Sequence, residues 1–295
     1  MTFYLGVDAG GSHTRARLTS GDGTLLGSGE SGTANTRQGL DVAVEAITLA
    51  WKAAVSEANL LPEDVRRIRA GIGIAGLNRK GVLQGLREQC CHFFSLAVAS
   101  DAAIACLGAH GGEDGGIVIV GTGSVGFARV GEEVVVVGGY GFPISDEGSG
   151  ADLGLRAIRA SLWARDGRIA HTPMTHDVLD HFSGSAGEIV AWMDRAGATE
   201  YATFAPLVMD HANRGDAVAE PIVQQGARQI DRLIRVLLER GAPHCCLMGG
   251  LAPRLQDWLA AGVRRRLREP HGDALDGAIL LAEMRGLPAG WVGQK

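Results

Sequence analysis

The chain has 295 residues, 46% of them hydrophobic and 21% charged, with a formal net charge of −5. That length suffices for two medium cores, and the acidic balance argues against non-specific nucleic-acid or anionic-membrane partners. No apolar run is long enough to span a bilayer, and the start enters a strand without a charged leader, so a cytoplasmic protein is expected.

The run from Tyr4 to Leu18 reads as two strands around a bend. Apolar residues lead into Asp8, Gly10-Gly11-Ser12 turn, and Thr14 to Leu18 alternate as a returning strand. The glycine pair is expected to supply positive φ and to bring bare amides together, a setting that suits phosphate oxygens. Asp8, at the end of the first strand, is placed to hold Mg²⁺ through water. An ordinary glycine hairpin with a solvated aspartate accounts for the same residues, and both readings stand on this stretch alone. The chain then repeats itself: Ile119 to Arg129 aligns without a gap on Val7 to Arg17, with Gly123-Ser124 on Gly11-Ser12 and Val120 in place of Asp8. Each copy continues into a third extended piece, Thr24 to Gly29 and Glu132 to Gly138. Two related half-domains with facing loops are expected.

Further along, a helix from Leu40 to Ala58 carries Val44, Ile47, Trp51, Ala54 and Val55 on one face. Pro62 opens a short helix, and Ile68 to Ala75 is a strand. Lys80 to Cys91 is expected to be helical, Phe94 to Ala99 a strand, and Ala102 to Ala109 a helix. Asp101 stands where that last strand ends, the usual ligand edge of an open α/β sheet. Taken alone, a helix N-cap is the better use for it, since Asp is a favoured cap and the helix begins at once. Gly111 to Gly116 is read as a hinge before the second half. A glycine-studded loop from Tyr140 runs into a helix from Ala151 to Ala164, and residues 165–215 are mostly helical. Ala217 to Arg240 is a long helix striped by Ile222, Gly226, Ile230, Leu233 and Leu237, followed by a strand at Cys245 to Met248, the Gly249-Gly250 loop and a helix through Leu255 to Leu259. A last helix spans Gly272 to Met284, and Arg264 to Arg266 with Arg268 read as a solvated face. The five cysteines show no metal-ligand spacing and are expected to be reduced and buried.

Five pieces in register resemble the superfamily of sugar kinases, actin and the heat-shock ATPases, and within it the N-acetylglucosamine kinase and BadF/BadG/BcrA/BcrD ATPase branch. They are Gly6 to Ser12, Ser100-Asp101-Ala102, Gly121 to Ser124, Ser145 to Ser149 and Leu247 to Gly250. Ser31 to Asn35, Ala105 to His110, Phe142 to Asp146 and Gln256-Asp257-Trp258 look most like bacterial glucosamine kinases. The resemblance implies a two-lobed, actin-like (ribonuclease H-like) α/β fold, with duplicated βββαβαβα half-domains around an interlobe cleft. Residues 1–114 would form the N-terminal lobe, completed by a helix at 274–286, and residues 115–273 the C-terminal lobe.

The implied activity is ATP-dependent phosphorylation of D-glucosamine at O6. Asp101 would be the general base; Gly10, Gly11, Ser12 and Thr14 would contact the ATP phosphates; Asp8 would hold Mg²⁺. Thr122, Gly123 and Ser124 would form a second phosphate loop, with Thr122 also near the sugar, and Gly249 and Gly250 would pass close to adenosine. Asn35, Asp101, Asp146 and Gly148 would line the sugar, while Glu147 either joins them or solvates its turn. Small-molecule substrates and a homodimer are implied, with no nucleic acid or membrane. N-acetylglucosamine kinase is the nearest alternative. A non-enzymatic sugar sensor or a 2-hydroxyacyl-CoA dehydratase activator fits less well, since no DNA-binding segment precedes Gly6 and the cysteine pairs lack the activator's glycine-flanked context.

Overall fold

Strands Phe3–Ala9 (β1), Thr14–Ser20 (β2) and Leu25–Ser31 (β3) form an antiparallel run joined by short turns. This computed structural model describes residues 2–11, 13–34, 36, 39–77, 79, 81–90 and 92–284. The chain continues through helix Leu40–Glu57 (α1), a 3-10 turn at Pro62–Arg67, strand Ile68–Ile74 (β4), helix Val82–Gln89 (α2), strand Ser95–Ser100 (β5) and helix Asp101–Ala109 (α3). Strands Gly115–Val120 (β6), Ser124–Val130 (β7) and Glu133–Gly138 (β8) repeat the opening pattern. Helices Gly150–Arg165 (α4), Pro173–Asp180 (α5), Ala186–Met193 (α6), Ala198–Ala202 (α7), Ala205–Asn213 (α8) and Ala219–Glu239 (α9) follow. Strand Cys245–Met248 (β9) precedes the short helices Ala252–Leu255 (α10) and Ala261–Arg264 (α11), then Ala274–Glu283 (α12).

The chain divides into two units. The first holds residues up to 115, 127–135 and those from 269 onward; the second holds 116–126 and 136–268. One sheet has the order β3-β2-β1-β4-β5 and the other β8-β7-β6-β9, so the strand order of the first copy is repeated in the second. In each sheet the first strand of the repeated pattern pairs with a parallel neighbour, β1 with β4 and β6 with β9.

In the first unit, side-chain parity decides which helix covers which face. Leu5, Val7 and Ala9 are fully buried on the face that α1 covers, where a Cβ at Gly29 would lie 2.1 Å from Ala50 O. The other face presents Gly6, Gly71 and Gly73 to α12 and α3. A Cβ at Gly71 would sit 2.0 Å from Ala278 O, and one at Gly73 2.1 Å from Ile104 Cδ1. The two helices touch each other as closely: a Cβ at Gly277 would lie 1.8 Å from Ile104 O, and one at Gly108 1.8 Å from Asp273 O. The C-terminal helix α12 therefore packs on β1, β4 and α3 of the first unit.

The structure sharpens several boundaries. α3 begins at Asp101 rather than Ala102, and α2 is shorter than expected, with Lys80 and Cys91 outside the described residues. The stripe of α9 turns from Leu233, which is half-buried, onto Ile234, which is fully buried. Cys90, Cys106, Cys245 and Cys246 are buried, and burial pushes the Cys245 thiol up to about 12. No helix of the described residues is long and apolar enough to cross a membrane.

Gly277→Ala is expected to destabilise the protein by about 1–3 kcal/mol, because neither backbone can move without dragging its helix. Gly262→Ala, whose Cβ would come no closer than 3.9 Å to Arg265 Nη2, is expected to be neutral or slightly stabilising. Urea unfolding midpoints of the two variants check this pair.

Candidate functional site

β1, β4 and β5 run parallel and in register, with Asp8 opposite Gly73 and Gly73 opposite Ala99. The chain leaves β1 into Gly10-Gly11 and leaves β5 into Asp101, so both stretches lie at one carboxyl edge. The first loop is pinned from within: Gly10 N–H donates to His13 O at 3.1 Å, Ala34 N–H donates to Gly10 O at 3.0 Å, and Thr33 Oγ1 donates to Gly11 O at 2.7 Å. Thr14 is fully buried and its hydroxyl donates to Gly32 O at 2.9 Å. It braces the loop from beneath. Gly10 and Gly11 both keep φ out of the left-handed region, which corrects the expectation that this pair is needed for positive φ.

Asp101 does not cap its helix. Ser100 does, its Oγ accepting the N–H of Ala103 at 3.1 Å. Asp101 is the first helical residue, and its Oδ1 accepts the N–H of the adjoining Ala102 at 2.9 Å. Burial pushes its carboxyl above the ordinary aspartate value; the Ala102 bond opposes the rise and the charge of Asp8 adds to it. The capping account of Asp101 falls away. What stands at the strand end is a carboxylate with raised proton affinity, suited to accepting a proton.

In the second unit, the loops after β6 and β9 meet. Leu251 N–H donates to Val120 O at 3.0 Å, and a Cβ on Gly249, whose φ is +97°, would lie 2.4 Å from that oxygen. Gly121 N–H closes onto Gly123 O at 2.9 Å, while the first amides of α4, Gly150 and Ala151, donate to the carbonyls of Gly121 and Thr122 at 2.8 and 3.2 Å. Ser124 Oγ donates to Glu147 O at 2.9 Å. Asp146 holds φ at +67°, uncommon for a non-glycine residue and a mark of local constraint. Burial pushes its carboxyl up, against bonds accepted from the N–H groups of Ser124, Gly141 and Phe142. Thr122 is exposed. Gly148 has an internal reason to be glycine, since a Cβ there would lie 2.5 Å from Gly226 O on α9. Ser12 and Asn35 lie outside the described residues.

Many glycines of this chain are required by positive φ or by a close neighbour; among the described ones that are not, four stand in open space. Gly11, Gly32, Gly121 and Gly250 keep φ out of the left-handed region, and a Cβ on any of them would meet no described atom within 4 Å. They lie just past the ends of β1, β3, β6 and β9, strands that within each sheet run the same way. Open space above bare backbone is what a ligand contacting main-chain amides requires. In the sequence Gly32 stands out only within the stretch from Ser31 to Asn35; that it lies beyond β3 at the same end of the sheet as Gly11 beyond β1 is visible only in the fold.

The profile of the BadF/BadG/BcrA/BcrD ATPase family matches residues 5–282. Glucosamine kinase GspK of Vibrio cholerae is 40% identical over 282 residues, 96% of this chain and 96% of that protein. The N-acetylmuramic acid/N-acetylglucosamine kinase of Clostridium acetobutylicum is 29% identical over 247 residues, covering 81% of this chain and 80% of that protein. A solved structure from Chromobacterium violaceum, provisionally assigned as an N-acetylglucosamine kinase, is 37% identical with a TM-score of 0.87, covering 96% of this chain and 99% of that one. The α/β fold expected from the sequence is the fold of these kinases, and a ROK hexokinase of Thermus thermophilus shares it at 20% identity and a TM-score of 0.59.

Gly11→Ala, Gly121→Ala and Gly250→Ala are expected to leave the melting temperature nearly unchanged, because the added methyl meets no described atom. Each is expected to weaken ATP binding on the order of tenfold, the equivalent of about one lost hydrogen bond. Calorimetric titration with ATP alongside thermal melts separates the two effects.

Proposed function

Because the chain belongs to the BadF/BadG/BcrA/BcrD ATPase family, we propose that it is an amino-sugar kinase that moves the γ-phosphoryl group of ATP to the 6-hydroxyl of D-glucosamine. The observation that carries this reading is Asp101: a carboxylate at the end of β5, relieved of capping by Ser100, with its proton affinity raised by burial. The 40% identity to a glucosamine kinase over nearly the whole chain supports the sugar. Names of two other relatives carry N-acetylglucosamine, which makes that sugar the second reading.

In this reading Asp101 orients the 6-hydroxyl and accepts its proton as the oxygen attacks phosphorus. The amide-rich loops at Gly10-Gly11 and Thr122-Gly123-Ser124 bind the phosphates, and Gly249 and Gly250 give adenosine close access to the backbone. Asn35, Asp146 and Gly148 belong to the sugar side. Asp8 is the Mg²⁺ residue. Its donor set fits, since Mg²⁺ at a nucleotide takes one or two carboxylates and fills its shell with water and phosphate. Among the described residues no cluster of three or more His, Cys, Asp or Glu forms a closed metal cage. When bound, Mg²⁺ would neutralise charge on the phosphate oxygens. A homodimer working in the cytoplasm completes the reading and rests on the resemblance to other kinases.

The test is ADP release from Mg-ATP with glucosamine, N-acetylglucosamine and glucose offered in parallel. Highest turnover with glucosamine is expected. A preference for N-acetylglucosamine would move the specificity, and no sugar-dependent ADP would sink the kinase reading. Asp101→Asn is expected to lower kcat on the order of 10²–10⁴-fold. The same variant is expected to melt higher at neutral pH. A carboxyl whose folded pKa is raised costs stability once pH exceeds its unfolded value, and the cost is complete above the folded one. The advantage of Asn over Asp should therefore shrink as pH falls from the raised folded pKa toward the ordinary aspartate value. For the same reason, the acid limb of kcat/KM in the unsubstituted enzyme should lie above the ordinary aspartate range, which a pH–rate profile measures.

A further inference from the structure

Asp8 has a neighbour to which the proposed reaction gives no task. Arg15 stands directly opposite it in the β1–β2 ladder, with Nη2 donating to Oδ2 over 2.8 Å. Directly opposed residues of an antiparallel pair point to the same face, so strand register brings these two side chains together. The other terminal nitrogen of Arg15, Nη1, lies 3.7 Å from Asp273 Oδ2. Two residues on, Arg17 reaches the same Asp273 oxygen at 3.2 Å and also bonds Asp276. Asp273 is the N-cap of α12 and Asp276 lies in its first turn, so both are fixed by the helix that packs on β1 and on α3, the helix beginning with Asp101. The Asp8 side chain is only 18% exposed and Arg15 Nε is buried, which sets this pair apart from the exposed ion pairs that contribute little.

We propose that Arg15 is the positioning residue for Asp8. It holds Oδ2 and leaves Oδ1 as the oxygen offered to nucleotide-bound Mg²⁺, while Asp273 holds Arg15 in turn. This assignment rests on the kinase reading, in which Asp8 faces the metal. The plain alternative is a cross-strand ion pair that only steadies the sheet. The two differ in Arg17: it engages the same α12 carboxylates as Arg15 but makes no bond to Asp8.

The experiment compares Arg15→Gln and Arg17→Gln in the full chain. Mn²⁺ binding to the ADP complex is read by electron paramagnetic resonance, beside the Mg²⁺ dependence of kcat, the sugar KM and thermal melts. Removal of a group that orients a metal ligand weakens metal binding or activity by about 10–100-fold. Arg15→Gln should show that loss in Mn²⁺ affinity and in kcat with the sugar KM unchanged. Arg17→Gln should lose comparable thermal stability and keep both. Equal Mn²⁺ affinity and kcat in Arg15→Gln and the unsubstituted protein, or an equal loss in Arg17→Gln, would overturn the assignment. If Arg15→Gln does not fold, Arg15→Lys carries the test. It keeps the charge but not the planar fork, so a smaller loss in the same direction is expected and an unchanged Mn²⁺ affinity overturns the proposal. Absence of sugar-dependent ADP release in the unsubstituted protein would instead count against the kinase reading, and the Mn²⁺ measurement would still decide the role of Arg15.

Discussion

Backbone-to-backbone contact between α12, α3 and the first sheet is the constraint on which the rest of this unit depends. Gly6, Gly71, Gly108 and Gly277 have carbonyl oxygens where a methyl group would otherwise stand. Contacts of that kind leave no side chain able to yield, so the helices are held at one depth against β1 and β4. Both candidate aspartates take their places from it. Asp101 starts α3, and the N-cap of α12 meets the arginine that bonds Asp8.

The second unit uses another device for a related end. Its loops are tied by main-chain bonds: the first amides of α4 hold the carbonyls of Gly121 and Thr122, and Leu251 N–H holds Val120 O. A loop whose carbonyls are engaged in this way is rigid without side chains over it, which suits a surface meant to meet ligand with backbone alone. Asp146, held at positive φ with its carboxylate against the N–H of Ser124, is part of that brace.

Two similar sequence motifs thus ended with different local physics. The Gly10-Gly11 pair was expected to turn the chain through positive φ, yet neither residue adopts it, and neither does Gly123 in the second copy. A Cβ on Gly123 would stand 2.7 Å from the carboxylate of Asp146, whereas one on Gly11 would meet no described atom within 4 Å. Spacing in a sequence can report that a side chain is absent, but it cannot say which of crowding, φ or an approaching ligand made it so.

The order of strands and helices, the doubled β-run and the apolar face of α1 were legible in the sequence, because periodicity and glycine placement are local properties. The pairing of Asp8 with Arg15 was legible too in principle, since the two residues stand equidistant from the Gly11-Ser12 bend, but nothing local says that such a pair matters. What only the tertiary structure decided were matters of contact across the chain. Ser100 rather than Asp101 caps α3, the hydroxyl of Thr14 is spent on Gly32, and α12, more than 250 residues along the chain from Arg15 and Arg17, supplies the carboxylates that hold them. Hydrogen-bond capacity is shared out by geometry, and a donor with several possible acceptors is assigned only when the fold brings one of them within reach.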